Sequence, residues 1–404
     1  MGTGASTSAW RERTAEFFQQ YLIPFGWLII LTSMFIAGDR GRVHQLFYVF
    51  LALPTLILVI IRPRLLKPLA RNPLFIAIAI FCAYTMLTIA WSSTEDTALS
   101  LMRRPLYVAM LLFAAGTIGM RSATQLAALT RFAAVFAALA AGVSLAYFLM
   151  VRMPAGSARL EGYGALYNPL LSAHVFGAFA TLWMATLLQS KRWLNPLALG
   201  CFCLLMATLL ATGSRTPLVG IGAALMWLVV VGDRRRGLLV LGLALLAVMA
   251  MIAVHPESIS QRGMSFRPQI WMEALRQIGE RPWLGHGFDA DMTVLIPGLD
   301  QILADPHNIE LGVLYTGGIA GLLLWLGVYG TALRFCWQNR MDPSISLAAA
   351  WLIFGFGSGL TEGMAFLSRP KEHWFLIWLP LALIYGLWVA RDQALRLGRA
   401  ATPS

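Results

Sequence analysis

The chain has 404 residues, of which 58% are hydrophobic and only 12% charged, with a formal net charge of +12 and a mean hydropathy of +0.68. Soluble domains carry about 25% charged residues, so this composition excludes a water-soluble globule and points to an all-α polytopic membrane protein. Most Lys and Arg fall in short connections between apolar runs, where they set topology, and no basic stripe with interleaved aromatics is present, which excludes a nucleic-acid partner.

Residues 9–20 (AWRERTAEFFQQ) read as a short interfacial helix. The apolar run after them has no small-residue cleavage site and is expected to remain as a membrane span. A spanning helix needs about 17–25 residues. Runs of that kind are predicted at 21–37, 43–61, 74–91, 105–119, 132–151, 170–188, 194–211, 217–232, 237–254, 309–333, 344–366 and 373–390. They give about twelve transmembrane helices in a single integral membrane domain over residues 1–404. The fourth and eighth are short and are expected to tilt or bend at Gly116 and Gly220. Lys and Arg favour the connections on the N-terminal side by about two to one, which places both termini in the cytoplasm. No internal repeat marks two transporter-like halves. The cysteines Cys82, Cys201, Cys203 and Cys336 lie in or at the ends of apolar runs and read as small buried hydrophobes rather than as a disulfide or zinc framework.

The long polar excursion between spans nine and ten, residues 255–308, is predicted to lie outside. It contains Arg262, Arg267, Arg276, Arg281, His255, His286 and His307, together with Trp271 and Trp283. A loop this long on a compact scaffold is functional or disordered, and its aromatics argue for a folded cap. Within it, 266–278 (FRPQIWMEALRQI) reads as an amphipathic helix with Phe266, Ile270, Ala274 and Ile278 on one stripe. Either this helix lies on the bilayer with Arg267 solvated, or it is a lid with Arg267 aimed into a cleft.

Arginines on the outer side run against the positive-inside rule. Arg159, Arg215, Arg262 and Arg267 either snorkel to headgroups or together form a site for phosphate, which guanidinium grips bidentately. Ser214, Thr216 and the helix start at Pro217 would add donors. His307, in Asp305-Pro306-His307-Asn308, either serves as a general base near neutral pH or only hydrogen-bonds at a helix start. Asn308 is placed to N-cap span ten. His286, between two glycines, reads as structural. His174 in span six and Glu362 late in span eleven are intramembrane ionisable groups, which are functional suspects. Asp289-Ala290-Asp291 has the D-x-D form that holds a metal in many glycosyltransferases, but with arginines available no metal is required. No G-x-S-x-G, P-loop or dinucleotide motif occurs.

In these residues the chain resembles the O-antigen ligase family, the WaaL-type proteins of the Wzy_C superfamily. The resemblance lies in the span-and-loop architecture and in Asn168-Pro169 with His174 and Gly177, Ser214-Arg215, Arg267 with Trp271, Gly285-His286-Gly287, and His307-Asn308 with Gly317. It implies a GT-C-type membrane glycosyltransferase without cofactor or metal. Such an enzyme moves O-antigen from undecaprenyl diphosphate to lipid A–core oligosaccharide on the periplasmic face of the bacterial inner membrane. By that pattern Arg215 and Arg267 contact diphosphate and His307 serves the acceptor, with Asn308, Trp271 and His174 in support. Arg159 and Arg262 are added from charge and position. O-antigen polymerases and O-linked oligosaccharyltransferases share the layout, and a flippase of lipid-linked glycan is the rival from another class.

Overall fold

The structure, a computed structural model, describes residues 3–190, 195–254, 266–295 and 303–401. Among these the fold is all-helical, with a single isolated bridge between Val294 and Leu303. Eight helices are long and apolar enough to cross a membrane: α1 (Trp10–Ile36), α2 (Arg40–Ile61), α3 (Pro73–Trp91), α4 (Ala98–Arg121), α5 (Ala123–Arg152), α6 (Pro169–Gln189), α11 (Ile309–Gln338) and α13 (Glu372–Leu397). Between them in the chain lie α7 (Pro196–Ala211), α8 (Thr216–Val231), α9 (Arg234–Val254), the amphipathic α10 (Arg267–Ile278) and α12 (Pro343–Gly359).

Four helices start on the same local chemistry. Asn72-Pro73, Asn168-Pro169, Asn195-Pro196 and Asp342-Pro343 each place a side-chain acceptor at the N-cap and proline in the first turn. The cap oxygen satisfies an amide that has no partner within the helix, and proline has none to lose there. In an apolar solvent this satisfaction matters more than in water.

Three expectations are corrected. Residues 9–20 are not a separate interfacial helix. The helix that begins at Thr3 runs through a π turn at Phe18–Leu22 into Ile23–Ile36 without a break. The fourth span is longer than expected, because Thr97 caps it seven residues before the apolar run and the helix accommodates Pro105. The eleventh span stops at Gly359, so Glu362 lies in an irregular segment and not in the helix. There the Leu360 carbonyl accepts a hydrogen bond from Asn308 Nδ2 at 2.8 Å, and Gly363 takes a φ of +81° against the His373 ring. The cysteines are free as expected, but Cys203 is exposed rather than buried.

The connections that hold the candidate residues meet at one end of the bundle. Ala165 N–H donates to the Ala37 carbonyl (3.0 Å), Leu160 N–H to Ala211 (2.9 Å), and Phe288 N–H to Thr88 Oγ1 (3.0 Å). Arg40, at the start of α2, reaches Glu372 at the start of α13 (2.9 Å) and lies over the Tyr167 ring.

The cap segment is fixed by a break in α11. Gly318 sits at φ +62°, ψ −166°, a conformation that side chains with a Cβ rarely adopt, and a Cβ there would fall 2.4 Å from the Trp283 backbone. The break frees helix hydrogen-bonding groups, and residues 282–287 take them up. His286 and Gly287 amides donate to Tyr315 and Thr316 (2.8 and 2.9 Å), while Ile319 and Ala320 amides donate to Pro282 and Trp283 (2.8 and 3.2 Å). Tyr84 from α3 donates to the Gly317 carbonyl at 2.7 Å. Each freed group thus has a partner, which is the condition for irregular backbone at a membrane boundary.

Candidate active site: an arginine, a carboxylate and a histidine in series

α10 brings its first residue to the bundle. Ile270, Ala274 and Ile278 are buried against Tyr315 and Met292, while Phe266 lies outside that stripe and is 42% exposed. This docking turns Arg267 toward Thr216 and Glu362, as the lid alternative expects of that side chain. Arg267 Nη2 lies 3.4 Å from Thr216 Oγ1 and 3.5 Å from Glu362 Oε2.

Glu362 is the centre of the arrangement. It is 4% exposed. One carboxylate oxygen faces Arg267, and the other faces His307 Nδ1 at 3.6 Å. His307 continues to Asp305, whose Oδ1 lies 4.0 Å from Nδ1 and accepts the His307 backbone amide at 2.7 Å. The contacts therefore run Arg267, Glu362, His307, Asp305. His307 has a φ of +49°, an uncommon conformation for a side chain of its size. The turn is held on both sides. Trp271 Nε1 donates to the Pro306 carbonyl (3.1 Å), and Asn308 Oδ1 caps α11 through the Leu311 amide (2.9 Å). The N-cap expected of Asn308 is present.

The electrostatics follow from this order. The Glu362 carboxylate at Nδ1 raises the His307 pKa above the ordinary imidazole value. Burial opposes the rise, Asp305 adds to it, and Arg267 offsets part of it. Burial pushes the Asp305 carboxyl up, against the pull of His307. A carboxylate at Nδ1 also favours a proton on that nitrogen, leaving Nε2 as the acceptor.

On the other side of Arg267 lies the turn before α8. Thr216 opens that helix, and Arg215, exposed, sits at its N-cap. Ser214 is 5% exposed, and its hydroxyl has no hydrogen-bond partner among the described residues. Arg159 Nε donates to the Thr212 carbonyl at 2.7 Å and so pins this turn. The Arg267 guanidinium, the Ser214 and Thr216 hydroxyls and the α8 N-terminus are thus neighbours in space, with Arg215 at the N-cap and Arg159 holding the turn. Arg262 lies outside the described residues. His174 is 1% exposed within α6, and neither ring nitrogen makes a hydrogen bond of ordinary geometry among the described residues.

His286 is structural, as expected. Its ring stacks on Tyr315 (centroids 4.4 Å apart) and pairs with the Gln277 carbonyl at 2.9 Å. In the D-x-D segment, Asp289 is committed to protein partners: Arg104 at 2.8 Å and Thr94 Oγ1 at 3.1 Å. No group of three or more His, Cys, Asp or Glu with metal-binding geometry occurs among the described residues. Sequence reasoning missed Arg104 as the partner of Asp289, and the Arg40–Glu372 pair. Only Glu372 carried a signal, as an acid at the edge of an apolar run.

A family profile, Wzy_C, described as O-antigen ligase, matches residues 199–326, from α7 through the cap segment into α11. An O-antigen ligase of Pseudomonas aeruginosa strain PAO1 is 53% identical over 384 residues, covering 95% of each chain. At that identity and coverage, the chain belongs to the O-antigen ligase family.

Proposed function

We propose that the protein joins O-antigen polysaccharide to lipid A–core oligosaccharide, using undecaprenyl diphosphate-linked O-antigen as donor. The observation that carries this reading is the placement of a buried carboxylate between an anion-binding arginine and a histidine. Donor and acceptor chemistry then sit on either side of one residue. Arg267, Arg215, Ser214, Thr216 and the α8 N-terminus bind the diphosphate. Arg159 holds their turn, and Arg262 is assigned to the same role from its charge and its place in the sequence alone. His307 Nε2 takes the proton from the acceptor hydroxyl. The hydroxyl oxygen forms the new bond to the anomeric carbon as the bond from that carbon to phosphate breaks, and the electron pair leaves on the lipid diphosphate. One displacement inverts the anomeric configuration. The main catalytic demand is stabilising the leaving diphosphate, which arginines meet without a metal.

In this reading the eight long helices, with α7, α8, α9 and α12, form a single twelve-span unit of GT-C type in the inner membrane. Residues 255–308 and the site face the periplasm, and both termini are cytoplasmic. The distribution of Lys and Arg supports that orientation.

The test is donor binding and single-turnover transfer in nanodiscs. His307→Ala should retain lipid-linked donor and lose transfer by about 10²- to 10⁴-fold. Arg215→Ala should weaken donor binding as well. A His307→Ala protein that transfers at the wild-type rate would leave His307 as a helix-start residue, whereas a wild-type protein that binds donor and transfers nothing would revive the flippase reading. In a deletion strain, bare core with accumulated lipid-linked polymer marks a ligase, and core carrying one repeat marks a polymerase.

A further inference from the structure

A polar pocket adjoins His307 through Asp305, and Arg267 does not line it. It has a volume of about 250 Å³ and is lined in part by Arg104, Asp289, Asp291 and Asp305. Asp291 also borders a second, more open pocket of about 560 Å³ that presents Trp91, Gln277, Glu280 and Tyr315. The two form a track that starts one residue pair from His307 and runs over the docked α10. We propose that this track is the acceptor subsite, taking a hydroxyl-rich, uncharged sugar in the inner pocket and the sugars attached to it in the outer one.

This inference rests on the ligase reading above and adds where the acceptor lies. Three observations support it. The first is charge. In the inner pocket Asp289, Asp291 and Asp305 would repel a diphosphate, and its one arginine, Arg104, is already engaged by Asp289 (2.8 Å) and Asp96 (2.9 Å); in the outer pocket Arg276 is paired with Glu273 (2.8 Å) and Glu280 (2.9 Å), and Arg281 stands beside the acidic Glu280 and Asp291. The anionic donor headgroup therefore belongs on the Arg267 side. The second is chemistry. Sugar hydroxyls donate to carboxylates and to the carbonyl of an amide, and the apolar face of a sugar ring packs on an aromatic side chain, which the outer pocket supplies in the half-buried Trp91. The third is order. A nucleophile must approach the anomeric carbon from the side opposite the leaving group. Asp305 lines the inner pocket and lies 4.0 Å from His307 Nδ1, whereas Arg267 lines neither pocket, so an acceptor held in the track sits next to the base and apart from the arginine that meets the leaving group. The size agrees as well: the inner pocket falls just under the range of about 300–1,000 Å³ for drug-sized ligands and the outer one within it. The D-x-D segment thereby gains a role. Asp289, at φ +64°, is locked by Arg104 and Thr94, and this presents Asp291 to both pockets.

The test uses the full chain in nanodiscs with Asp291→Ala, Asp291→Asn and Trp91→Leu. Asp291 is exposed, so its substitution leaves the fold intact, and thermal melting checks Trp91→Leu. Steady-state transfer should show the acceptor KM raised about tenfold for Asp291→Ala, the loss of one charge-assisted hydrogen bond. Donor KM and kcat at saturating acceptor should stay at wild-type values, with Asp291→Asn in between. Binding of delipidated core oligosaccharide is measured in parallel and should weaken by the same factor. An acceptor KM and oligosaccharide affinity within about twofold of wild type would overturn the proposal. So would a rise in donor KM alone, which would assign the track to the donor's glycan. If wild type binds the oligosaccharide in an Asp291-dependent way but transfers nothing, the subsite stands and the ligase reading falls.

Discussion

Glu362→Gln isolates the role of the carboxylate between Arg267 and His307. The substitution keeps size and hydrogen-bonding capacity but removes the charge that faces Arg267 at 3.5 Å and His307 Nδ1 at 3.6 Å. A general base works in its deprotonated form. With the His307 pKa raised by Glu362, the acid limb of kcat/KM should lie above pH 6.5, the ordinary imidazole value. Removing the carboxylate lowers that pKa and moves the limb to lower pH. On the plateau above the acid limb both proteins carry a neutral imidazole, so the difference there reports base strength and orientation alone. Neutralising the orienting carboxylate of a hydrogen-bonded catalytic triad costs about 10⁴-fold. The contact here is longer than a hydrogen bond, and a loss of about 10- to 100-fold is expected, equivalent to about 1.4–2.7 kcal/mol of transition-state stabilisation. The assay is the pH profile of transfer in nanodiscs under single-turnover conditions, with donor affinity measured separately. A Glu362→Gln protein with wild-type rate and an unmoved acid limb would refute the argument, because the carboxylate would then neither tune nor orient His307.

Trp271→Phe keeps the ring and removes the bond to the Pro306 carbonyl; it should cost about 0.5–1.5 kcal/mol and lower transfer up to about tenfold, read from thermal melting and rate together. Gly318→Ala forces a Cβ into the Trp283 backbone at the helix break and should undock the cap, seen as faster proteolysis within residues 282–295 and loss of transfer. Glu372 is 1% exposed and paired with Arg40. Arg40→Met leaves that carboxylate buried without its cation and should destabilise by about 2–4 kcal/mol, whereas the double change with Glu372→Met should recover most of it. EDTA should leave transfer by the purified protein intact; lost activity restored by magnesium or manganese would return the D-x-D segment to a metal-binding role.

Much of the architecture was legible in the sequence because an apolar solvent imposes local rules. Spans must be long and apolar, and their ends must be capped, so the runs and the Asn-Pro and Asp-Pro starts locate most helices. The periodicity of 266–278 likewise gave α10, since Ile270, Ala274 and Ile278 are spaced to face one side. Local rules fail where a helix is ended or broken by distant partners. The apolar run resumes after Glu362 with Met364, Ala365, Phe366 and Leu367, so the sequence reads as a span that continues past Gly359. Only the Asn308 side chain, which takes the Leu360 carbonyl from 52 residues away, shows why the helix stops and why Glu362 emerges beside His307. The break at Gly318 likewise depends on residues 282–287 being at hand to satisfy its amides and carbonyls. The sequence by itself determined which residues could carry the chemistry: arginines where the charge rule disfavours them, and a histidine in a capped turn. The tertiary structure decided their order in space, because the Arg267–Glu362–His307 series joins three segments whose approach no local pattern encodes.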